Sequence, residues 1–226
     1  MIRVGNLLAR RVQHVAPRLE QMHRWIVGGE FVLPAFQRPY VWTDADVALL
    51  LDSIANGFYV GTLVTWHTPL PPRVVSWGGV DVMSQPWPHA VLDGQQRIGA
   101  IARAMSSDRF CVHLQTGEIL VDPEPAAWVW PVRSVVRCDG AELFDAFPAH
   151  ATAHGLPRRD VEHAFFEARR AFETECLSVV QIGDGYSAAE VVEMFRRINV
   201  AGVRVTPEEL AAALATISDG GAAERG

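Results

Sequence analysis

Cysteine is scarce in this chain of 226 residues, and the three thiols present, Cys111, Cys138 and Cys176, stand too far apart to form a metal-ligand spacing. That excludes a zinc ribbon and a disulfide framework, and it predicts free thiols in a reducing compartment. Positive charge is short as well. Twenty basic residues against 26 acidic ones leave a net charge of -6, so no global positive field marks the chain as a nucleic-acid binder, and any DNA contact must be local. No apolar run approaches the roughly 20 residues that span a bilayer. The opening segment, MIRVGNLLARRVQHVAPRLE, is broken by Arg10 and Arg11 where a secretory signal is continuously apolar, and it reads as an amphipathic surface helix. A cytoplasmic protein without a membrane anchor is the expectation. Missing too is the GxxxxGK[ST] loop that cradles phosphates in P-loop enzymes.

What remains is a hydrophobic content of 49%, enough for one sizeable core. FVLPAFQRPYVW, residues 31 to 42, carries two prolines that forbid a regular helix and aromatics that demand burial, so it reads as an ordered loop. Thr43 with Asp46 forms a capping box before Val47, Leu50, Leu51 and Ile54, a helix that Gly57 stops. YVGTLVTWH alternates as a strand. VVSW and VDVM flank Gly78-Gly79 as a hairpin, and FCVHL and EILV do the same around Thr116-Gly117. HAVL reads as an interior strand, and DPEPAAWVWP precedes another short one. From about Ala141 the pattern turns helical, with SVVQI as one further strand and two capping boxes, Ser187 with Glu190 and Thr206 with Glu209. SDGGAAERG at the end reads as a tail or linker. Strands without a regular βαβ repeat predict an α+β fold, with a core over 1–140 and a helical annex over 141–226.

The chemistry concentrates in AVLDGQQRIGAIARAM, residues 90 to 105. A strand ends, Asp93 is placed to cap the helix carried by Ile98, Ile101, Ala102 and Met105, and Gly94 allows close backbone approach. Gln95, Gln96 and Arg97 fall in the first turn, where unpaired amides and the helix dipole attract an anion and arginine adds a forked donor.

Together with FQRPYVW (36–42) and FRRINVAGVRVTPEEL (195–210), this stretch resembles the ParB/sulfiredoxin-like, DGQQR-marked N-terminal domain of GmrSD-type and SspE-type DNA restriction enzymes, in order and spacing over about residues 30–212. The resemblance implies a small mixed sheet with flanking helices, and binding and hydrolysis of a nucleoside triphosphate with Mg2+, without distinguishing GTP, ATP, CTP and UTP. It also implies recognition of modified DNA in anti-phage defence, beside an HNH-type nuclease domain or subunit that this chain lacks. By the same resemblance Asp93, Gln95, Gln96, Arg97 and Gln37 are the catalytic group, and Gly94, Arg97, Arg38, Tyr40, Arg197 and Asn199 bind the nucleotide. Within that set Arg97 goes to the phosphates, Asp93 to capping and a water-mediated metal contact, and Gln95 or Gln96 to the attacking water. Tyr40 and Trp42 pack beneath or against a base, and the helical period leaves open whether Arg196 or Arg197 turns inward. Two alternatives stand beside this reading, a nucleotide-gated DNA-binding switch without catalysis and a ParB-like nuclease.

Each motif also has a structural reading. DGQQR is then a helix start facing water, Gln37 and Arg38 a polar loop, and FRRIN a helix end whose arginines pair with Glu190 or Glu193. His150, His154 and His163 with Asp160 read as surface residues rather than a metal site, because Gly155 and Pro157 break the helix between them. Trp77, Trp87, Trp128 and Trp130 read as core or hairpin cover before a recognition pocket, and Arg158, Arg159, Arg169 and Arg170 as a solvated stripe before a DNA contact.

Overall fold

The computed structural model describes residues 11–34, 37, 39–68, 73–86, 88–137 and 140–199, with the side chains of 140–145, 195–196 and 198–199 left out. Over these residues run ten strands and seven helices, numbered in chain order. Strand β3, Gly61–His67, lies at the centre. Its residues Leu63, Val64, Thr65 and Trp66 are consecutively buried, the signature of a strand covered on both faces. On one side β3 pairs in parallel with β10, Leu177–Ile182, which pairs antiparallel with β1, Val12–Val15. On the other it pairs antiparallel with β6, His89–Asp93, which pairs in parallel with the two-residue β2, Phe31–Val32. The sheet is therefore mixed, in the order β1-β10-β3-β6-β2. The fold is α+β.

Two small sheets complete the strands. Hairpin β4, Val74–Trp77, and β5, Val80–Met83, turns at Gly78-Gly79. Strand β7, Phe110–His113, runs between β8, Ile119–Val121, and β9, Val129–Pro131. The helices are α1, Leu19–Val27; α2, Asp44–Ala55; α3, Gln95–Met105; α4, Val132–Arg137; α5, Gly140–His154; α6, Arg158–Phe172; and α7, Ala188–Asn199.

Local signals place several of these. Thr43 and Asp46 form the reciprocal capping box of α2, in which Asp46 Oδ2 accepts from the Thr43 amide at 2.7 Å. The hydroxyl and amide of Thr43 hold the Asp46 carboxyl below its ordinary range. Ser187 and Glu190 do the same for α7, while the box expected at Thr206 lies outside the described residues. Residues 12–15, expected in an N-terminal helix, form the edge strand β1 instead, because the outer edge of β10 needs a hydrogen-bonding partner; the helix begins only at Leu19. Phe31–Val32, expected in a loop, adds the short β2, and helix starts at Val132 rather than near 141.

One hydrophobic cluster runs from Leu19 to Val191. The segment expected as a helical annex feeds it twice. Its strand β10 sits inside the main sheet, and Phe147 of α5 and Phe165 of α6 close on Trp130 of β9 at ring-centroid distances of 5.6 and 5.2 Å. Cys111 and Cys176 are buried free thiols, and burial raises the pKa of both. Among the described residues no helix is long and apolar enough to cross a membrane.

Candidate functional site

The junction between β6 and α3 is built on a backbone shape that only glycine takes without strain. Gly94 has φ +94°, and a Cβ placed there would run into the side chain of Leu63 on β3. Strand β6 is thereby pressed against the sheet and the chain enters α3 at once. The Asp93 expected to cap this helix does not. Gly94 is the N-cap residue, it has no side chain to offer, and the first turn of α3 carries no acidic residue. Helical bonding starts with the Ile98 amide donating to Gly94 O at 3.1 Å, so the preceding amides point outward without an intrahelical acceptor. Asp93 is exposed at the strand end, its Oδ2 3.7 Å from Arg97 Nη2.

Gln96 is buried and faces the opposite loop. Its Oε1 accepts from the Val41 amide at 2.9 Å and the Trp42 amide at 3.2 Å, and its Nε2 donates to Pro39 O at 3.1 Å. From that loop Gln37 answers in kind, with Nε2 donating to Val91 O at 3.0 Å and Leu92 O at 2.9 Å. The two amide side chains thus clamp Gln37 and the Pro39–Trp42 segment over the end of β6. Gln95 is buried beside them. Arg97 reaches the start of β3, where Nη1 donates to Thr62 O at 2.7 Å and lies against Gly61.

Not every expected residue gathers here. Tyr40 packs its ring on Gly99, one turn further along α3, where a Cβ would stand 2.6 Å from the ring. Its hydroxyl is buried with no hydrogen-bond partner among the described residues, and burial raises its pKa. Arg197 lies on α7 with Nε donating to Glu193 Oε1 at 2.7 Å, as an intrahelical pair. Arg38 and the side chains of Arg196 and Asn199 lie outside the described residues. Of the tryptophans, Trp77 and Trp130 are core, and Trp87 is outside the described set. Trp128 lines an open cleft of about 540 Å³ with Gln115, Arg159, Asp160, His163 and Glu167. His150 is half-buried, its Nε2 2.6 Å from Ala127 O. The arginine stripe is largely paired along α6, Arg158 with Glu162, Arg169 with Glu173 and Arg170 with Glu167.

The chain matches the family described as GmrSD restriction endonuclease, N-terminal domain, over residues 20–216, a span that contains all three motifs and the clamp just described. It belongs to that family. No curated protein matches it.

This GmrSD N-terminal domain also has a polar cleft that periodicity did not reveal, at the opposite end of the main sheet from Gly94. It measures about 270 Å³ and is lined by Arg11, Gln13, His67, His89, Gln181 and Asp184. His67 and His89 pack with ring centroids 5.0 Å apart. Burial, then the neighbouring His67, lowers the His89 pKa to about 4. The folded state therefore holds His89 neutral, while the unfolded chain binds its proton from about pH 6.5 downward. Between those values the unfolded state carries more protons, and folding stability falls as pH falls. Thermal melts across this window should decline more steeply for the native chain than for His89→Phe, and parallel declines would refute the assignment.

Proposed function

We propose that this domain binds a nucleoside triphosphate with Mg2+ at the start of α3 and couples its hydrolysis to recognition of modified DNA, as the regulatory part of a restriction endonuclease whose HNH-type cutting centre lies in another domain or subunit. The observation that carries this reading is a helix start with no side-chain cap and no carboxylate in its first turn, set beside an arginine. Outward amides, the positive end of the helix dipole and a guanidinium together suit phosphate. The chain contains no lysine, so phosphate recognition falls to arginine, and Arg97 is the arginine placed at this junction among the described residues.

Within that reading Arg97 and the amides after Gly94 hold the phosphates, and exposed Asp93 suits a water-mediated contact to the metal. Mg2+ supplies neutralisation of the charge that develops on the transferred phosphoryl group. Gln96 and Gln37 act by positioning, since their amides are spent on the loop and on β6. Gln95, buried in the same first turn, is assigned to orient the attacking water. The same commitment of two glutamines favours a second reading, a nucleotide-gated DNA-binding switch without turnover, and phosphate release with and without DNA separates the two. Incubating plasmid DNA with the domain and Mg2+ or Mn2+ tests the third alternative, a nuclease of its own.

Arg97→Ala tests the site directly. Losing charge-assisted bonds worth about 1.5–3 kcal/mol should weaken nucleotide binding by roughly ten- to hundred-fold. The melting temperature should drop only a few degrees, because the side chain is partly exposed and makes one backbone bond. Titration calorimetry reads the first effect and a thermal melt the second. Unchanged affinity in the folded variant removes the phosphates from this helix start.

A further inference from the structure

The loop between α2 and β3 displays two large aromatic side chains to solvent, Phe58 at 63% and Tyr59 at 65% exposure. Their exposure does not come from a loose loop. The Phe58 amide donates to Ser53 O at 2.8 Å and the Val60 amide to Cys176 O at 2.9 Å, so the backbone is tied on either side of Tyr59. The phenol end of Tyr59 is tied as well. Its Oη lies 2.5 Å from Thr62 Oγ1, a hydrogen-bonding distance. Thr62 is paired with Ser178 in the parallel ladder of β3 with β10, so the hydroxyl that holds the phenol is itself fixed inside the sheet. With the oxygen engaged, the exposed part of Tyr59 is its ring.

That ring shares its anchor with the phosphate site. Thr62 offers its hydroxyl to Tyr59 and its carbonyl to Arg97 Nη1. A rigid, outward-facing aromatic ring fixed beside an arginine at an uncapped helix start matches a nucleotide, which presents a flat π-face and a polyanion at opposite ends. We propose that Tyr59 is the stacking platform for the nucleobase of the nucleotide whose phosphates lie at Arg97. The proposal rests on the nucleotide-binding reading above and adds to it a residue that none of the three motifs contains. Stacking reads a π-face rather than a hydrogen-bonding edge, so this contact holds all four bases and discriminates only modestly among them.

The test compares two probes, a nucleoside triphosphate and inorganic tripolyphosphate, which has the charge and lacks the base. Tyr59→Ala should lower affinity for the triphosphate by about ten-fold or more while leaving tripolyphosphate binding as in the native chain. Tyr59→Phe, which keeps the ring, should stay within a few-fold of native for both. Tyr59→Leu keeps bulk without a π-face and repeats the loss should the alanine variant fold poorly. Equal affinity of the native and leucine variants for the nucleotide overturns the stacking role, as does a matched loss of both probes, which marks Tyr59 as structural. If the native chain binds neither probe, the phosphate site itself falls, and a failure of the underlying reading is told apart from a failure of this one.

Discussion

Gly94→Ala should cost the domain about 3 kcal/mol and about 10 °C in melting temperature, the largest stability loss expected of any single methyl group added to the DGQQR motif. Two effects add. The φ of +94° lies where a residue with a Cβ is strained by roughly 1–2 kcal/mol. The new methyl would also enter the space of the Leu63 side chain, and Leu63 is fully buried in the central strand with no room to retreat. Overpacking of such a site costs about 1–3 kcal/mol. Because the collision is with the strand next to β6, relief would come only by lifting the β6 end off β3, which also moves the start of α3. The variant should therefore lose nucleotide affinity along with stability, whereas Arg97→Ala loses affinity and keeps its fold. A melt that shifts by less than about 2 °C would show that the turn at Gly94 is not the tight one described.

How far the fold could be read in advance depended on whether its determinants were local. The capping boxes at Thr43 and Ser187, the hairpin at Gly78-Gly79 and the stripe of α3 are each set by residues a few positions apart, and each appears where the sequence pattern placed it. Strand β1 escaped because VQHV is only four residues long and becomes a strand through β10, more than 160 positions away. For the same reason SVVQI was legible as a strand but not as a neighbour of the central one. The DGQQR motif shows the same limit within the site. Its helix-start geometry follows from strand, glycine and helix period, yet the capping assigned to Asp93 passed to Gly94, since the strand keeps its pairing through Asp93. The partners of Gln96 lie some 55 residues back in the chain and no period announces them. Tyr59 was legible only as the first residue of the strand read in YVGTLVTWH, which begins at Gly61 instead, and its significance comes from a hydroxyl and an arginine that stand beside it only in the folded sheet.

Gln96→Ala separates a positioning glutamine from a catalytic one. Truncation strands the Val41 and Trp42 amides and the Pro39 carbonyl, three backbone groups that Gln96 alone connects to α3 through hydrogen bonds among the described residues. A buried polar group left unpaired costs about 1–3 kcal/mol. Val41 is exposed and its amide regains water, so the total should sit near 2–4 kcal/mol rather than at the sum of the maxima. The loss should concentrate in the clamp, with amide exchange at residues 39–42 rising well before exchange in β3. Gln96→Glu sharpens the distinction. It keeps an acceptor for both amides but sets a carboxylate oxygen against Pro39 O, so its stability should fall between native and alanine and recover toward acid pH, as protonation restores a donor. If Gln96 served mainly to orient water, both variants would retain the native melt and lose only phosphate release. A native melt in Gln96→Ala would therefore transfer the residue from the loop's support to the reaction itself.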